Sequence, residues 1–430
     1  MQSETPLDLA IIGGGLAGLI HLHYARRAGL QALVLEREGA VGGLWRRLPA
    51  WQDLQVSLAD FVVGDFALAG PMQSQVLAYV ESWVERFALT DGIRVDSPVH
   101  RARHTGSFWE LDTPAGIVRA RHLVAATGGH NKPIIPTLAR DRSTVSEFHS
   151  SALRDPETLK QRDVVVVGGG ASAFDLLELC LSQEAQRISW VYRDVRWFSP
   201  TRKPKAIAGT VRPFAKLQAE GMSVAEQSAT IGADLVARYA KFGIQAIQPP
   251  HSLDVRRDQL IPGRSRMLAD FGAIERYPGT TIESIAGGNV TLADGTRLAP
   301  DIVLWGTGYE TDLSYFEDAR IAEIRNVAEL GSRCACQFRS LDAPDLYFPS
   351  PGLDGIGALS WSYALMARSV VSHIREEAKL DMEPHSRLNH LEIARHIVER
   401  DPGSQSDDAV WDFYRDMALR TPDDEPYPMP

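Results

Sequence analysis

The 430-residue sequence predicts an α/β protein of two Rossmann-like dinucleotide-binding domains, each three layers deep, with the second inserted into the first. Three observations predict it. An apolar run enters a glycine-rich turn and a helix at Asp8–Gly18, the pattern returns at Val164–Ala173, and Thr127-Gly128-Gly129 is echoed by Gly306-Thr307-Gly308-Tyr309. One Gly-x-Gly-x-x-Gly is a weak signal. A buried strand before it and a helix behind it supply the context that phosphate binding needs.

In the first unit Gly13 makes the turn, Gly15 lets the backbone approach a pyrophosphate, and Gly18 seats a helix predicted over Gly18–Ala28, with the amides of Leu16 and Ala17 facing the phosphates. The next strand, Gln31–Leu35, ends in Glu36 and Arg37, where an acidic side chain accepts hydrogen bonds from a ribose. The following loop carries Gly43, Leu44 and Trp45. It reads either as a wrap around the middle of an extended cofactor or as a surface turn anchored by Trp45. Trp51–Pro71 lacks periodicity, and Gln73–Leu89 has Val76, Leu77, Val80, Val84 and Phe87 at helical spacing. Short strands are predicted over Gly92–Val99, Phe108–Thr113, Ile117–Ala120 and Arg121–Gly129; Val99, Thr127 and Gly128 join the cofactor-binding set.

Asn131–Arg162 reads as a crossover broken by Pro133 and Pro136. The second unit then runs through Val164–Val167, the turn Gly168, Gly170, Ala171, Ser172 and Ala173, and a helix over Phe174–Leu181, with Ala173 in place of the third glycine. Its second strand, Ile188–Tyr192, is followed by Arg193, which we align with Glu36. An arginine there pairs with a ribose 2′-phosphate, whereas the adjacent Asp194 suits a bare ribose, so NADPH and NADH both stay open at this point. Arg196, Arg202, Lys203 and Lys205 add positive charge or form a solvated loop. Thr210–Phe242 looks helical, strands follow at Thr280–Ile285, Asn289–Leu292 and Asp301–Leu304, and Gly308 closes the echo. The expected division is 1–140 and 301–400 for the first domain, 141–300 for the inserted one, and 401–430 as an extension.

Lys+Arg 45 against Asp+Glu 55 makes the chain mildly acidic, which argues against nucleic acid as a partner. No charged leader with an apolar core opens the chain and no apolar run approaches the ~18 residues of a membrane span, so we expect cytoplasmic residence without membrane partners. Three cysteines exclude a disulfide scaffold, Cys334-Ala335-Cys336 lacks the spacing of a redox pair, and no metal-ligand pattern stands out.

From about Leu7 to Ser372 the chain resembles the flavin-containing monooxygenases, class B flavoproteins that include Baeyer–Villiger and YUCCA enzymes. The resemblance is carried by Gly13–Gly18, Glu36-Arg37 leading to Gly42-Gly43-Leu44-Trp45, Ala126-Thr127-Gly128, Gly168–Ala173 and Gly306-Thr307-Gly308-Tyr309. It implies FAD in the first unit, held at the ribose by Glu36, and NADPH in the second. It also implies oxygenation of a small organic substrate by O2 through a flavin hydroperoxide, at a nitrogen or sulfur centre or by a related hydroxylation.

Two departures qualify the resemblance. The family's linker fingerprint falls on Ser143, Val145, His149 and Leu153 with only His149 kept, which argues against a typical Baeyer–Villiger enzyme; His149 is left with an interdomain hydrogen bond or a catalytic part. Ser57 stands where amine- and sulfide-oxygenating members carry Asn near the reactive flavin edge, with Gln55 the other candidate for that catalytic position. Asp354 is a further candidate near the flavin. The alternatives are an NAD(P)H oxidase or reductase without oxygen transfer and a non-catalytic nucleotide-bound sensor. Substrate identity is not legible, and a homodimer stays open.

Overall fold

The computed structural model describes residues 5–54, 58–61, 68–141, 145–200, 222–254, 258, 260–335, 338–349 and 359–376. The first apolar run forms the strand Leu7–Ile12, paired in parallel with Ala32–Leu35 on one side and Gly116–Ala125 on the other. A parallel strand covered on both faces buries every side chain, and Leu9 through Ile12 are all buried.

The two strands predicted over Ile117–Ala120 and Arg121–Gly129 are one strand of 10 residues, Gly116–Ala125. Its first part closes an antiparallel meander with Trp109–Thr113 and Arg101–His104, and its last part pairs with Leu7–Ile12. Arg121 suggests a break in the sequence, but it sits where the strand face meets solvent. After the insertion the chain returns to this sheet, with Leu346 opposite Leu123 and Tyr347 opposite Val124. The helix Leu359–Ile374 then shares a buried cluster with the first nucleotide helix, joining Ala367, Val370 and Val371 to Leu19, Ile20 and Leu22.

The second sheet is wholly parallel, in the order Ile274–Pro278, Arg187–Tyr192, Asp163–Val167, Ile302–Trp305, Ser146–His149. One face packs on the helix Ala171–Ser182, which contributes Phe174, Leu176 and Leu177. The other face meets a small mixed sheet through Ile282, Ile285, Val290 and Leu292. The third layer of this domain is therefore β rather than α.

Pairing differs from the expected division at both ends of the insertion. Ile302–Trp305 belongs to the second sheet, and Ala139–Arg140 pairs with Ser284 and Ile285 of the small sheet. The expected limits followed turn signals, whereas sheet membership follows pairing partners. The two connections run side by side: Pro133 pairs with Tyr309, Lys132 forms a 3.3 Å ion pair with Glu310, and Asn131 exchanges hydrogen bonds with the backbone of Asp312. The helix expected within Thr210–Phe242 spans Val224–Lys241, opened by a capping box of Ser223 and Glu226; residues 210–221 lie outside the described residues.

Candidate functional site: two glycine turns and the linkers between them

The first turn is built by backbone crowding. Gly13 has φ +109°, donates to Leu35 O at 2.9 Å, and leaves no room for a Cβ, which would fall 2.5 Å from Ala126 O. A Cβ on Gly18 would lie 2.0 Å from Gly13 O, so only glycine lets the helix sit this close. That helix begins at Leu16, two residues before the expected start, and its N-cap Gly15 offers no side-chain acceptor. The first amides thus have no side chain to satisfy them, an arrangement suited to an anion.

Glu36 lies behind this turn, only 5% exposed. Its Oε2 accepts from Gly14 N at 2.5 Å and its Oε1 from Glu38 N at 2.9 Å, which fixes the carboxylate while leaving lone pairs for ribose hydroxyls. Arg37 is exposed beside Glu38. The loop of Gly43, Leu44 and Trp45 folds back onto the turn: Gly42 N donates to Gly14 O at 3.0 Å, and a Cβ on Gly43 would fall 2.8 Å from Gly15 Cα. Trp45 packs edge-on against Phe61 and its carbonyl accepts from Gln73, while Leu44 stays exposed. Trp45 anchors the loop, and its glycines lie against the first turn. Thr127 and Gly128 follow the strand beside Gly13, and Val99 is half-buried on the meander cluster. Gly128 and Gly308 share positive φ and open space beyond their Cα atoms.

The second turn repeats the first. Gly168 donates to Val191 O at 2.9 Å, and a Cβ on it would fall 2.3 Å from Gly306 O. Gly170 caps the helix of Ala171, Ser172 and Ala173, again without a side-chain acceptor. Ala173 is tolerated because its neighbour is Gly306, where a Cβ would lie 2.6 Å from Ala173 Cα.

The register corrects one expectation. Leu35 pairs with Ile12 and Val191 with Val167, so the counterpart of Glu36 is the buried Tyr192, and Arg193 is the counterpart of Arg37. The expectation matched the first charged residue after each strand, whereas the hydrogen bonds from Gly13 to Leu35 and from Gly168 to Val191 make the next residue, Tyr192, the counterpart of Glu36. No carboxylate occupies the ribose position of the second unit. Arg193 is exposed and its guanidinium has no partner among the described residues.

His149, kept from the linker fingerprint, is 2% exposed at the end of its strand. Its Nε2–H donates to Gly308 O at 3.0 Å, and its Nδ1 accepts from Ser151 Oγ at 2.9 Å. Burial pushes its pKa down, opposed by the Gly308 carbonyl, so the ring is held neutral. Of the two roles left open for His149, the hydrogen bond between linker segments is present.

Ser57, Gln55 and Asp354 lie outside the described residues. Just before them, Trp51 Nε1 donates to Leu153 O at 2.6 Å, joining the loop of the first domain to the second. Beside this contact is a cavity of about 220 Å³ lined by Trp51, Asp53, Asp175, Glu178 and Arg264. Arg264 is buried against Asp175 at 2.6 Å. Nothing along the chain signals this pair, since 89 residues separate its members. A larger cavity of about 720 Å³ lies between the helix Val224–Lys241 and the Pro249–Asp254 loop, with Trp197 at its wall and no residue of either glycine turn. Cys180 and Cys334 are buried, and burial pushes the Cys180 thiol up to about 12, far from a reactive thiolate. Among the described residues no group of three His, Cys, Asp or Glu is placed to hold a metal, and no helix is long and apolar enough to cross a membrane.

The family described as pyridine nucleotide-disulphide oxidoreductase matches residues 10–241. A Baeyer–Villiger monooxygenase of Streptomyces coelicolor is 28% identical over 364 residues, covering 76% of this chain and 69% of that protein. A flavin-containing monooxygenase from Stenotrophomonas maltophilia superposes with a TM-score of 0.63 at 19% identity, covering 87% of this chain and 99% of that one. OTEMO, in a complex with FAD and NADP, gives 0.66 at 15% identity over 87% and 86% of the two chains. At those identities the structures show a shared fold. The chain belongs to the pyridine nucleotide-disulphide oxidoreductase family and is an oxidoreductase of the flavin-dependent monooxygenase kind.

Proposed function

We propose that this chain is an FAD- and NADPH-dependent monooxygenase that transfers one oxygen atom of O2 to a soft nitrogen or sulfur centre of a small organic substrate. The observation that carries the reading is the pair of uncapped glycine turns backed by opposite chemistry, Glu36 in the first unit and Tyr192-Arg193 in the second. When bound, the two cofactors supply hydride transfer and oxygen activation.

The chain's own residues bind and orient. The amides of Leu16, Ala17 and Gly18 face the FAD pyrophosphate and Glu36 takes its ribose hydroxyls, while Ala171, Ser172 and Ala173 face the NADPH pyrophosphate and Arg193 its 2′-phosphate. His149, neutral and committed on both nitrogens, holds the Gly308 carbonyl in place rather than moving a proton. The bond from Trp51 to Leu153 ties the loop of the first domain to the second. The working setting we assign is cytoplasmic, with a small-molecule substrate, O2 and no nucleic acid.

Ser57 favours a second reading, an NADPH oxidase without oxygen transfer, because a hydroxyl lacks the fixed amide donor that family members place near the flavin. NADPH oxidation measured together with hydrogen peroxide and oxygenated product, against a panel of thioethers and amines, separates the two. Peroxide equal to the NADPH consumed, whatever substrate is offered, refutes the monooxygenase reading.

A further inference from the structure

The loops over the two glycine turns are tied down by the same backbone contact. Gly42 N donates to Gly14 O at 3.0 Å, and Arg196 N donates to Gly169 O at 2.9 Å. With Gly13 matched to Gly168, Arg196 stands where Gly42 stands. At Gly42 φ is +132°, so a side chain there is strained, and its Cβ would also fall 2.5 Å from Leu77 Cδ1.

Over the second turn the space is organised differently. The missing Cβ of Gly169 admits the Asp194 carbonyl, which lies 1.9 Å from where that Cβ would be, and this draws the loop onto the turn. The Arg196 side chain then runs out over Gly170, its Cδ and Nε each 3.9 Å from the position of a Gly170 Cβ. Gly170 is the N-cap of a helix of 12 residues with no side-chain acceptor on its amides. The Arg196 side chain is exposed, and its guanidinium makes no ion pair or hydrogen bond among the described residues.

We propose that Arg196 is the pyrophosphate cation of the second nucleotide site, separate from Arg193, which reads the 2′-phosphate. This rests on the nucleotide assignment made above. A pyrophosphate brings two negative charges to a helix terminus worth roughly half a positive charge, and a guanidinium fork anchored to the same turn adds one full positive charge. The first unit meets its pyrophosphate with glycines and amides. The second holds a nucleotide that is consumed and must exchange at each turnover, and a solvent-screened cation adds attraction without locking the site.

Binding of NADP+, NAD+ and 2′-AMP to the flavin-loaded protein, measured by calorimetry at two salt concentrations, tests the assignment. Arg196→Gln should weaken NADP+ and NAD+ by the same factor, about tenfold for one exposed charge-assisted contact, lower the salt dependence of both, and leave 2′-AMP unchanged. Arg196→Lys should recover part of the loss. Arg193→Gln should weaken NADP+ and 2′-AMP but not NAD+. The assignment is overturned if Arg196→Gln leaves both dinucleotides unchanged, or weakens NADP+ and 2′-AMP alone. A wild-type protein that binds neither dinucleotide would instead refute the underlying nucleotide reading.

Discussion

Replacing Glu36 tests the first cofactor site at its most constrained atom. The carboxylate is buried and accepts two backbone donors, Gly14 N and Glu38 N. Glu36→Ala leaves both donors without that acceptor and removes the group assigned to the FAD ribose. A hydrogen bond to a charged acceptor is worth about 1.5–3 kcal/mol, so loss of the ribose contact alone should weaken FAD by roughly 10- to 150-fold. Strain passed from Gly14 to the turn adds to this. Glu36→Gln is the sharper variant, because its NH2 must face one of the two backbone N–H groups while volume is conserved. The assay is flavin absorbance per protein after gel filtration, with FAD titration of the apoprotein by fluorescence quenching. Both variants should lose flavin, and circular dichroism should show the secondary structure intact. Undiminished flavin content with an unchanged FAD dissociation constant would remove Glu36 from the ribose and with it the division of the two turns.

Other consequences follow from packing and burial. Gly306→Ala drives a Cβ to 2.6 Å from Ala173 Cα and should cost about 1–3 kcal/mol in denaturant unfolding, with Ala173→Gly recovering only part; wild-type stability for the single variant would contradict the close seat. His21, buried in the first nucleotide helix with Nδ1–H donating to Ala17 O at 2.8 Å, is pushed down to about 4 by desolvation. Its folded pKa lies below the unfolded 6.5, so the unfolded chain takes up the proton first. The stability present at pH 7 is then lost as pH falls from 6.5 towards 4, about 2 kcal/mol by pH 5. His149 and His122, also lowered by burial, act in the same direction. His21→Met should flatten this slope in chemical denaturation at pH 7 and 5, and equal slopes for the two proteins would exclude His21 as the source. His149→Ala frees Gly308 O and should cost about 1–3 kcal/mol, read as an earlier thermal transition than wild type.

Much of the site was legible because strand–turn–helix units announce themselves locally. Gly13, Gly15 and Gly18 recur at fixed spacing for steric reasons that act within a few residues, and Glu36 follows at the end of the next strand. Ser57, Gln55 and Asp354 rest on the family resemblance alone, since their segments lie outside the described residues. The Arg264–Asp175 pair and the bond from Trp51 to Leu153 were invisible, because each joins residues about ninety or more positions apart with no periodicity to link them.

The sequence by itself determined the two nucleotide units, their order and the inserted architecture, since apolar runs and glycine turns are set by local sterics and burial. Only the tertiary structure decided which residues correspond between the units. Charge at a strand end is read along the chain, but pairing is set by hydrogen bonds between strands, and the bonds from Gly13 to Leu35 and from Gly168 to Val191 make Tyr192, not Arg193, the counterpart of Glu36. The same pairing drew Ile302–Trp305 into the second sheet and set Arg196 over the second turn, neither of which follows from spacing along the chain.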